Sequence, residues 1–551
     1  MSYLGAWAAF DSPMEGHPHT NDNSPRTFDI SDLRRHQLMP HKMRQRITFF
    51  HKYEHGIEPT SLKLAGRSLS GPNIIAERED RITLALEELP TELQQLLRDS
   101  QELYIRWQKP VAYETVGPWK SKIPPGLHVF YTPSHHKRPD EEHICRLFRT
   151  AFGSVDCSSL SESFTRLPSD RFSHSTAYQY YQILNDLSHF ASYMEQYVCA
   201  SSDSECKTRA QRILSANSLD FSYDMISHSV KVTALWPHQK QPLTIESHPN
   251  HRAEVGIMTS DYPPHLEAHE QGVTGLLTVL GEDSKPAPTL FSFPSRHKTA
   301  TGSSFSSNFL RPSGLHPTMQ LQMSSNKPPM EGASCSMHTY LTLPRVIFAD
   351  KYQLQDDLFL SSKNLSSLRY ISKPVDLEAP DYAMKLWGSS VLLELQPPES
   401  EEEEQWTAEI PLHLRYLSPA EHAYKKINVP WPTVFWACRA DDGTKFPNSP
   451  FDRVNLGYDG LFGPRTIFWH VEPKPAAGEN LYHKLQVPVL DLAQSPLIGG
   501  GTTAVVLLGF LFVVWKLLTA SFGTPSTTNT AYGSPRTPRR SPGRRKSTKY
   551  M

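Results

Sequence analysis

From Leu497 to Trp515 the chain runs for nineteen residues without a charged side chain, and Lys516 ends the run. At ~1.5 Å per helical residue this covers roughly 28 Å, close to the ~30 Å hydrocarbon core of a bilayer. Gly499, Gly500 and Gly501 would penalise a soluble helix but are tolerated near the end of a membrane helix, and Trp515 with Lys516 makes an interfacial anchor. A buried core helix is the competing reading, yet no other stretch of similar length is free of charge. The opening MSYLGAWAAFDSPMEGH lacks a basic n-region and is not expected to be a secretory signal. Residues 517 to 551 hold seven Lys/Arg and no Asp/Glu, whereas the twenty residues before the span hold only Lys484. The positive-inside rule therefore predicts a cytosolic tail, with the mass of the chain on the other side.

A chain of 551 residues exceeds one ordinary core. With 56 Lys+Arg against 57 Asp+Glu, it has no bulk attraction for nucleic acid. Its 46 Pro, 22 Tyr, 25 Phe and 10 Trp suit short strands joined by turns, so the fold class is read as mainly β. Six cysteines stand at 145, 157, 199, 206, 335 and 438 without a CxxC pair, which argues against structural zinc and leaves their pairing open.

Residues 1–40 read as a flexible arm and 41–240 as a β-rich domain. The expected strands there are Arg46–Phe50, Arg81–Leu86, Glu102–Trp107, Leu127–Thr132 and Val230–Trp236, with a short capped helix at Thr91–Arg98. Apolar residues three or four apart from Ala177 to Val198 predict one amphipathic helix. Residues 241–300, rich in His, Pro and Ser, read mostly as linker, with one strand at Gly275–Leu280. A second domain, 301–490, carries the cleanest alternation. Trp406, Ala408, Ile410, Leu412, Leu414 and Tyr416 share one face of a half-buried strand whose Pro411 argues for an edge or a bulge. Strands are also expected at Met337–Leu343, Val391–Leu395, Thr433–Cys438 and Thr466–Val471. This domain reads as a β-sandwich. The span, 497–515, and a basic disordered tail, 516–551, complete the chain.

No P-loop, GxSxG elbow or HExxH occurs. The acidic pairs Asp356-Asp357 and Asp441-Asp442, the pair His135-His136 and the acidic run Glu399 with Glu401–Glu404 read as turns and solvated loops. No catalytic, cofactor or metal site is expected. Asn364-Leu365-Ser366 is a sequon without proline, which favours a lumenal face for the mass of the chain.

Gly314-Leu315-His316-Pro317, then the run Leu343-Pro344-Arg345-Val346-Ile347-Phe348-Ala349-Asp350-Lys351-Tyr352-Gln353-Leu354, then Leu412-His413-Leu414-Arg415-Tyr416 and the juxtamembrane helix, come in an order that resembles the PIG-X family in its fungal form. The likeness covers about residues 302 to 516 and is less distinct over 1–240. It implies a glycosylated, single-span protein of the endoplasmic-reticulum membrane with its N-terminal mass lumenal and its tail cytosolic. It also implies a non-catalytic subunit that binds and stabilises the polytopic catalytic subunit of GPI mannosyltransferase I, supporting transfer of the first mannose to the GPI-anchor precursor and assisting the folding of lumenal clients. Small residues Gly499, Gly500, Gly501 and Thr503 are the candidate face for contact with the partner's helices. Two other classes compete: a single-span glycan-processing enzyme using the acidic pairs, and an adhesion or receptor-like surface protein.

Overall fold

The computed structural model describes residues 43–522, apart from 121, 135–140, 169–175, 200, 249–250, 262–265, 268, 312–313, 331, 373–375, 400–404, 447–452 and 454. The expected arm, His135-His136, Glu401–Glu404 and the tail beyond 522 lie outside the described residues.

Strands dominate, as the composition predicts. The first large sheet has eleven strands. In spatial order they are Ala287–Pro294, Glu270–Val279, Arg252–Asp261, Arg44–His51, Ile74–Ala85, Ser229–Gln241, Ser218–Asp224, Ser100–Gln108, Gly126–Pro133, Ala177–Gln182 and Thr165–Leu167. Neighbours are antiparallel except for Arg44–His51 beside Arg252–Asp261, which run parallel with Ile47 opposite Val255. Residues 241–300 are thus not linker. They supply three strands that complete this sheet and the start of a fourth, His297–Phe309, that enters the second. The β-branched and aromatic residues of GIMTSD and TLFSFP satisfy strand pairing despite the intervening His and Pro.

The helix expected over 177–198 is also revised. Ala177–Gln182 is a strand with Tyr180 opposite Val129, and helix begins only at Ser188, running to Tyr193 before a wider turn through Val198. Helical spacing was present, but AYQYYQ is aromatic-rich and lies beside a strand with open backbone groups, so cross-strand pairing wins. The helix Thr91–Arg98 forms as expected, although Pro90 precedes it and no side chain caps it.

The second sheet has eight strands. Their order is Leu365–Ile371, Gly388–Leu395, Cys335–Pro344, Thr433–Arg439, Thr466–Pro473, His297–Phe309, Thr318–Met323 and Trp406–Pro411. It rolls until its two edges meet. Glu409 N donates to Lys363 O at 3.0 Å, Asn364 Nδ2 donates to Thr407 O at 2.8 Å, and Lys363 pairs with Glu409 at 2.6 Å. A ribbon of Tyr424–Pro430 and Tyr482–Pro488 packs Ile427, Val429 and Leu485 into the same core as Leu321, Leu341 and Ile410. The expected alternation holds from Trp406 to Leu414, all buried, while Tyr416 is exposed. Pro411 sits on the edge strand, where its missing N–H costs no ladder bond, and the chain breaks there before a second short strand at His413–Leu414.

The two sheets face each other across a mixed seam. Tyr340, Phe435, Tyr458 and Phe468 cluster with Ile123. The Trp387 indole donates to Gln179 O at 2.9 Å, and the Arg453 guanidinium donates to Glu79 at 2.7 Å and to Asp220 at 3.1 Å. The first sheet needs that arginine. Glu77 and Glu79 lie two apart on one buried strand. Burial pushes Glu77 up to about 7 against the backbone N–H groups of Val116 and Gly117. At Glu79 burial pushes the same way, but Arg453, Arg81 and Arg46 outweigh it and hold the carboxyl below its ordinary value.

Arg453→Met leaves the buried Glu79 carboxylate without its main partner, and the expected loss of stability is about 3–5 kcal/mol near neutral pH. Because the Glu79 carboxyl is depressed, its contribution is present above 4.5 and is lost as pH falls through the lower folded-state value. Denaturant melts of the detergent-solubilised chain should therefore show the deficit shrinking on acidification, and an equal deficit at all pH values would contradict the ionic account.

Candidate functional site

Three stretches that lie far apart in sequence fold into one small unit. Residues 412–415 form its middle. Leu412 N and Leu414 N donate to Pro317 O and Leu315 O, both at 2.9 Å. On the other side Ile347–Phe348 pairs antiparallel with His413–Leu414, and Arg415 N donates to Val346 O at 2.9 Å. Period two sends Leu412 and Leu414 into the rolled core and turns His413 and Arg415 away from it.

His413 is fixed from three directions. Its Nε2 lies 3.0 Å from Gln353 Oε1, its Nδ1 lies 2.9 Å from His316 Nδ1, and its ring stacks on Phe348 with centroids 5.4 Å apart. With Nε2–H donating to Gln353, Nδ1 accepts from His316, so the His413 imidazole is neutral. Burial first, and then the neighbouring His316, lower the His413 pKa, with Asp350 opposing them. Arg415 caps the unit: its guanidinium lies 4.6 Å from the Phe348 centroid, Nε donates to Arg345 O at 2.9 Å, and Nη1 donates to Ala379 O at 2.8 Å. Arg345 in turn donates to Asp381 at 3.0 Å and to Asp156 at 2.6 Å, tying the unit to the first half of the chain. Around it Tyr352, Leu358, Tyr382 and Tyr416 are exposed.

The remaining candidates divide. Asn364 is exposed in a left-handed turn, φ 55°, immediately before Leu365–Ile371, and its amide bridges the rolled edges. Gly499, Gly500, Gly501 and Thr503 lie in the helix Ser495–Phe522. At ~100° per residue Gly499, Gly500 and Thr503 share a face, whereas Gly501 turns well away from it. The Thr503 hydroxyl donates to Gly499 O at 2.8 Å, a local bond that a hydroxyl in hydrocarbon requires. The acidic pairs serve the backbone and neighbouring arginines. Asp356 caps a helix through Phe359 N at 3.0 Å, and Asp442 pairs with Arg439 and Arg465. Sequence reasoning missed the His316–His413 pair and the Arg453 clamp, since neither carries a local pattern.

These three stretches and the helix are the ones that match a known family: residues 312–518 fit PIG-X / PBN1. A protein from Neurospora crassa described as Protein pbn1 is 56% identical over 476 residues, covering 86% of this chain and 95% of that protein. The chain belongs to the PIG-X / PBN1 family. A Gibberella zeae Protein PBN1 is 44% identical over 86% of this chain and 95% of its own length, and a Yarrowia lipolytica Protein PBN1 is 27% identical over 82% and 91%. The likeness to these PBN1 proteins extends well beyond 312–518 and takes in the first sheet. Membership brings a role in GPI-anchor biosynthesis, and with the apolar helix Leu492–Phe522 it describes a single-pass membrane protein.

The depressed His413 pKa fixes the sign of a pH effect. Stability from the neutral His413 is present above 6.5 and is lost as pH falls through the lower folded-state value, when a second proton on His413 sets its Nδ1–H against the Nδ1–H of His316. Hydrogen-exchange protection at residues 343–354, taken relative to the intrinsic amide rate at each pH, should fall on acidification, and His413→Phe should flatten that dependence. Arg415→Lys cannot reproduce the stacked, forked contacts and should cost about 1–3 kcal/mol, read as a lower melting midpoint.

Proposed function

We propose that this chain is the non-catalytic subunit that binds and stabilises the catalytic subunit of GPI mannosyltransferase I in the endoplasmic-reticulum membrane. One observation carries the reading. The family's motif residues build an outward-facing unit fringed by Tyr352, Tyr382, Tyr416 and Leu358, an arrangement suited to gripping a protein rather than enclosing a substrate. A transferase acting on a lipid-linked mannose donor needs many spans to hold two lipids, and one helix supplies no such cavity.

Residues 1–496 are assigned to the lumen. The cysteines pair as Cys145–Cys157, Cys199–Cys206 and Cys335–Cys438, which suits an oxidising compartment. The exposed Asn364 sequon and the basic tail support the same orientation. Glycosylation at Asn364 leaves one amide hydrogen for Thr407, so the turn tolerates a glycan. Assistance to lumenal folding clients rests on the same exposed fringe.

Affinity capture from detergent-solubilised membranes should bring down a polytopic mannosyltransferase. Depleting the chain should reduce GPI-anchored surface proteins, with partial rescue by extra catalytic subunit. Mannosyl transfer by the purified chain alone would overturn the proposal in favour of a single-span enzyme. Gly500→Leu with Thr503→Leu should weaken the capture, and undiminished capture would remove the helix as the contact. Asn364→Gln should abolish an endoglycosidase-sensitive gel shift if the site is used as assigned.

A further inference from the structure

Two histidines meet on the outer side of the motif unit through the same ring atom. His316 is exposed on the turn at 314–317, and His413 sits on the middle strand. Their Nδ1 nitrogens lie 2.9 Å apart and their rings stand at 88° to each other. A single proton lies between those nitrogens in the metal-free chain. When His316 carries its proton on Nε2 instead, two neutral rings present two Nδ1 lone pairs side by side at the surface. Metal–imidazole bonds run about 2.1 Å, so nitrogens 2.9 Å apart subtend roughly 90° at a shared ion. That is the angle between neighbouring positions of a tetragonal or octahedral ion, and nitrogen and oxygen ligands in tetragonal geometry suit Cu2+ and Ni2+.

The surroundings of His413 are those of a ligand. A metal-binding imidazole nearly always donates its other ring N–H to a carbonyl or carboxylate, which fixes both tautomer and ring orientation. His413 Nε2 lies 3.0 Å from Gln353 Oε1, which leaves Nδ1 as the lone-pair atom, and the ring stacks on Phe348 at 5.4 Å. Neighbouring charge permits a cation. Asp350 is the carboxylate close enough to act on His413. The Arg415 guanidinium is directed to Arg345 O and Ala379 O, and the Lys351 ammonium lies over the Tyr352 ring at 4.6 Å. Among the described residues no set of three or more His, Cys, Asp or Glu side chains is arranged to hold a metal ion, so water has to complete the shell of any ion held here.

We propose that His316 and His413 chelate one divalent transition-metal ion through their Nδ1 atoms, with water in its remaining positions. No net proton is released, since the His316 proton passes through solvent from Nδ1 to Nε2. The bound ion ties the 314–317 turn to the 412–415 strand, two of the three stretches that build the outward-facing unit. Neither the transferase contact nor the orientation of the chain enters this argument.

Ni2+ is a suitable probe, titrated calorimetrically into the full chain in neutral detergent micelles after treatment with a chelator. The chain has 25 histidines, so substitutions have to identify the site. One saturable event per chain is expected, weakened about tenfold or more by His316→Ala, which removes an exposed ring and leaves the core untouched. Gln353→Glu sets a carboxylate against His413 Nε2 and should tighten binding severalfold, an outcome that loss of structure cannot produce. With one equivalent of Cu2+, electron paramagnetic resonance should show coupling to two nitrogens, falling to one in His316→Ala. Absence of a saturable event, Ni2+ binding of equal strength in His316→Ala, or a Cu2+ signal unchanged by that substitution overturns the assignment.

Discussion

Charge buried inside a β-sheet must be answered from somewhere, and here the answer comes from far along the chain. Glu79 and Asp220 face the seam of the first sheet, and Arg453 reaches both, across sequence separations of 374 and 233 residues. An ion withdrawn from water costs several kcal/mol unless its partner is in place. Within the first sheet Arg106 answers Asp220 at 2.8 Å and Arg81 lies 3.6 Å from Glu79, and Arg453 completes the pairing from the second half of the chain, in keeping with residues up to Val489 forming one compact unit. The Trp387–Gln179 bond and the Arg345 ties to Asp156 and Asp381 reinforce the same dependence. The second sheet is in effect part of the first sheet's core.

Legibility in the sequence follows the reach of each interaction. Strands such as Glu102–Trp107 and Thr433–Cys438 were readable because alternation is local and the chemistry of β-formers is strong. Leu497–Trp515 was readable because nineteen uncharged residues are a signal that needs no partner. Failures came where a partner decided the outcome. Ala177–Gln182 has helical spacing yet pairs with Gly126–Pro133, and residues 241–300 look like linker until the open edge of Arg44–His51 is placed beside them. Disulfide pairing was unreadable for the same reason. Cys335 and Cys438 meet only because their strands are neighbours in register.

The candidate site shows the same division. Its three segments were all noticed as the carriers of a family likeness, but their convergence on one unit was not visible in their order. Once Leu412–Arg415 becomes the middle strand, the roles separate. Leucines hold the unit to the rolled core, His413 and Arg415 organise its outer side, and the flanking tyrosines are left exposed. A surface so constructed has its shape fixed before any partner arrives, which lowers the ordering cost of association.

The parallel pairing of Arg44–His51 with Arg252–Asp261 bears on how the molecule is made. The first strand among the described residues occupies the interior of its sheet, and one of its two neighbours is synthesised about two hundred residues later. Loop closure over such a distance is slow, and unpaired central strands are sticky while they wait. Biogenesis therefore exposes this chain to a long interval in which its earliest apolar strand has only Ile74–Ala85 beside it. A mutation that merely delays the arrival of residues 252–261 would lower the yield of folded protein without altering a single contact of the finished one.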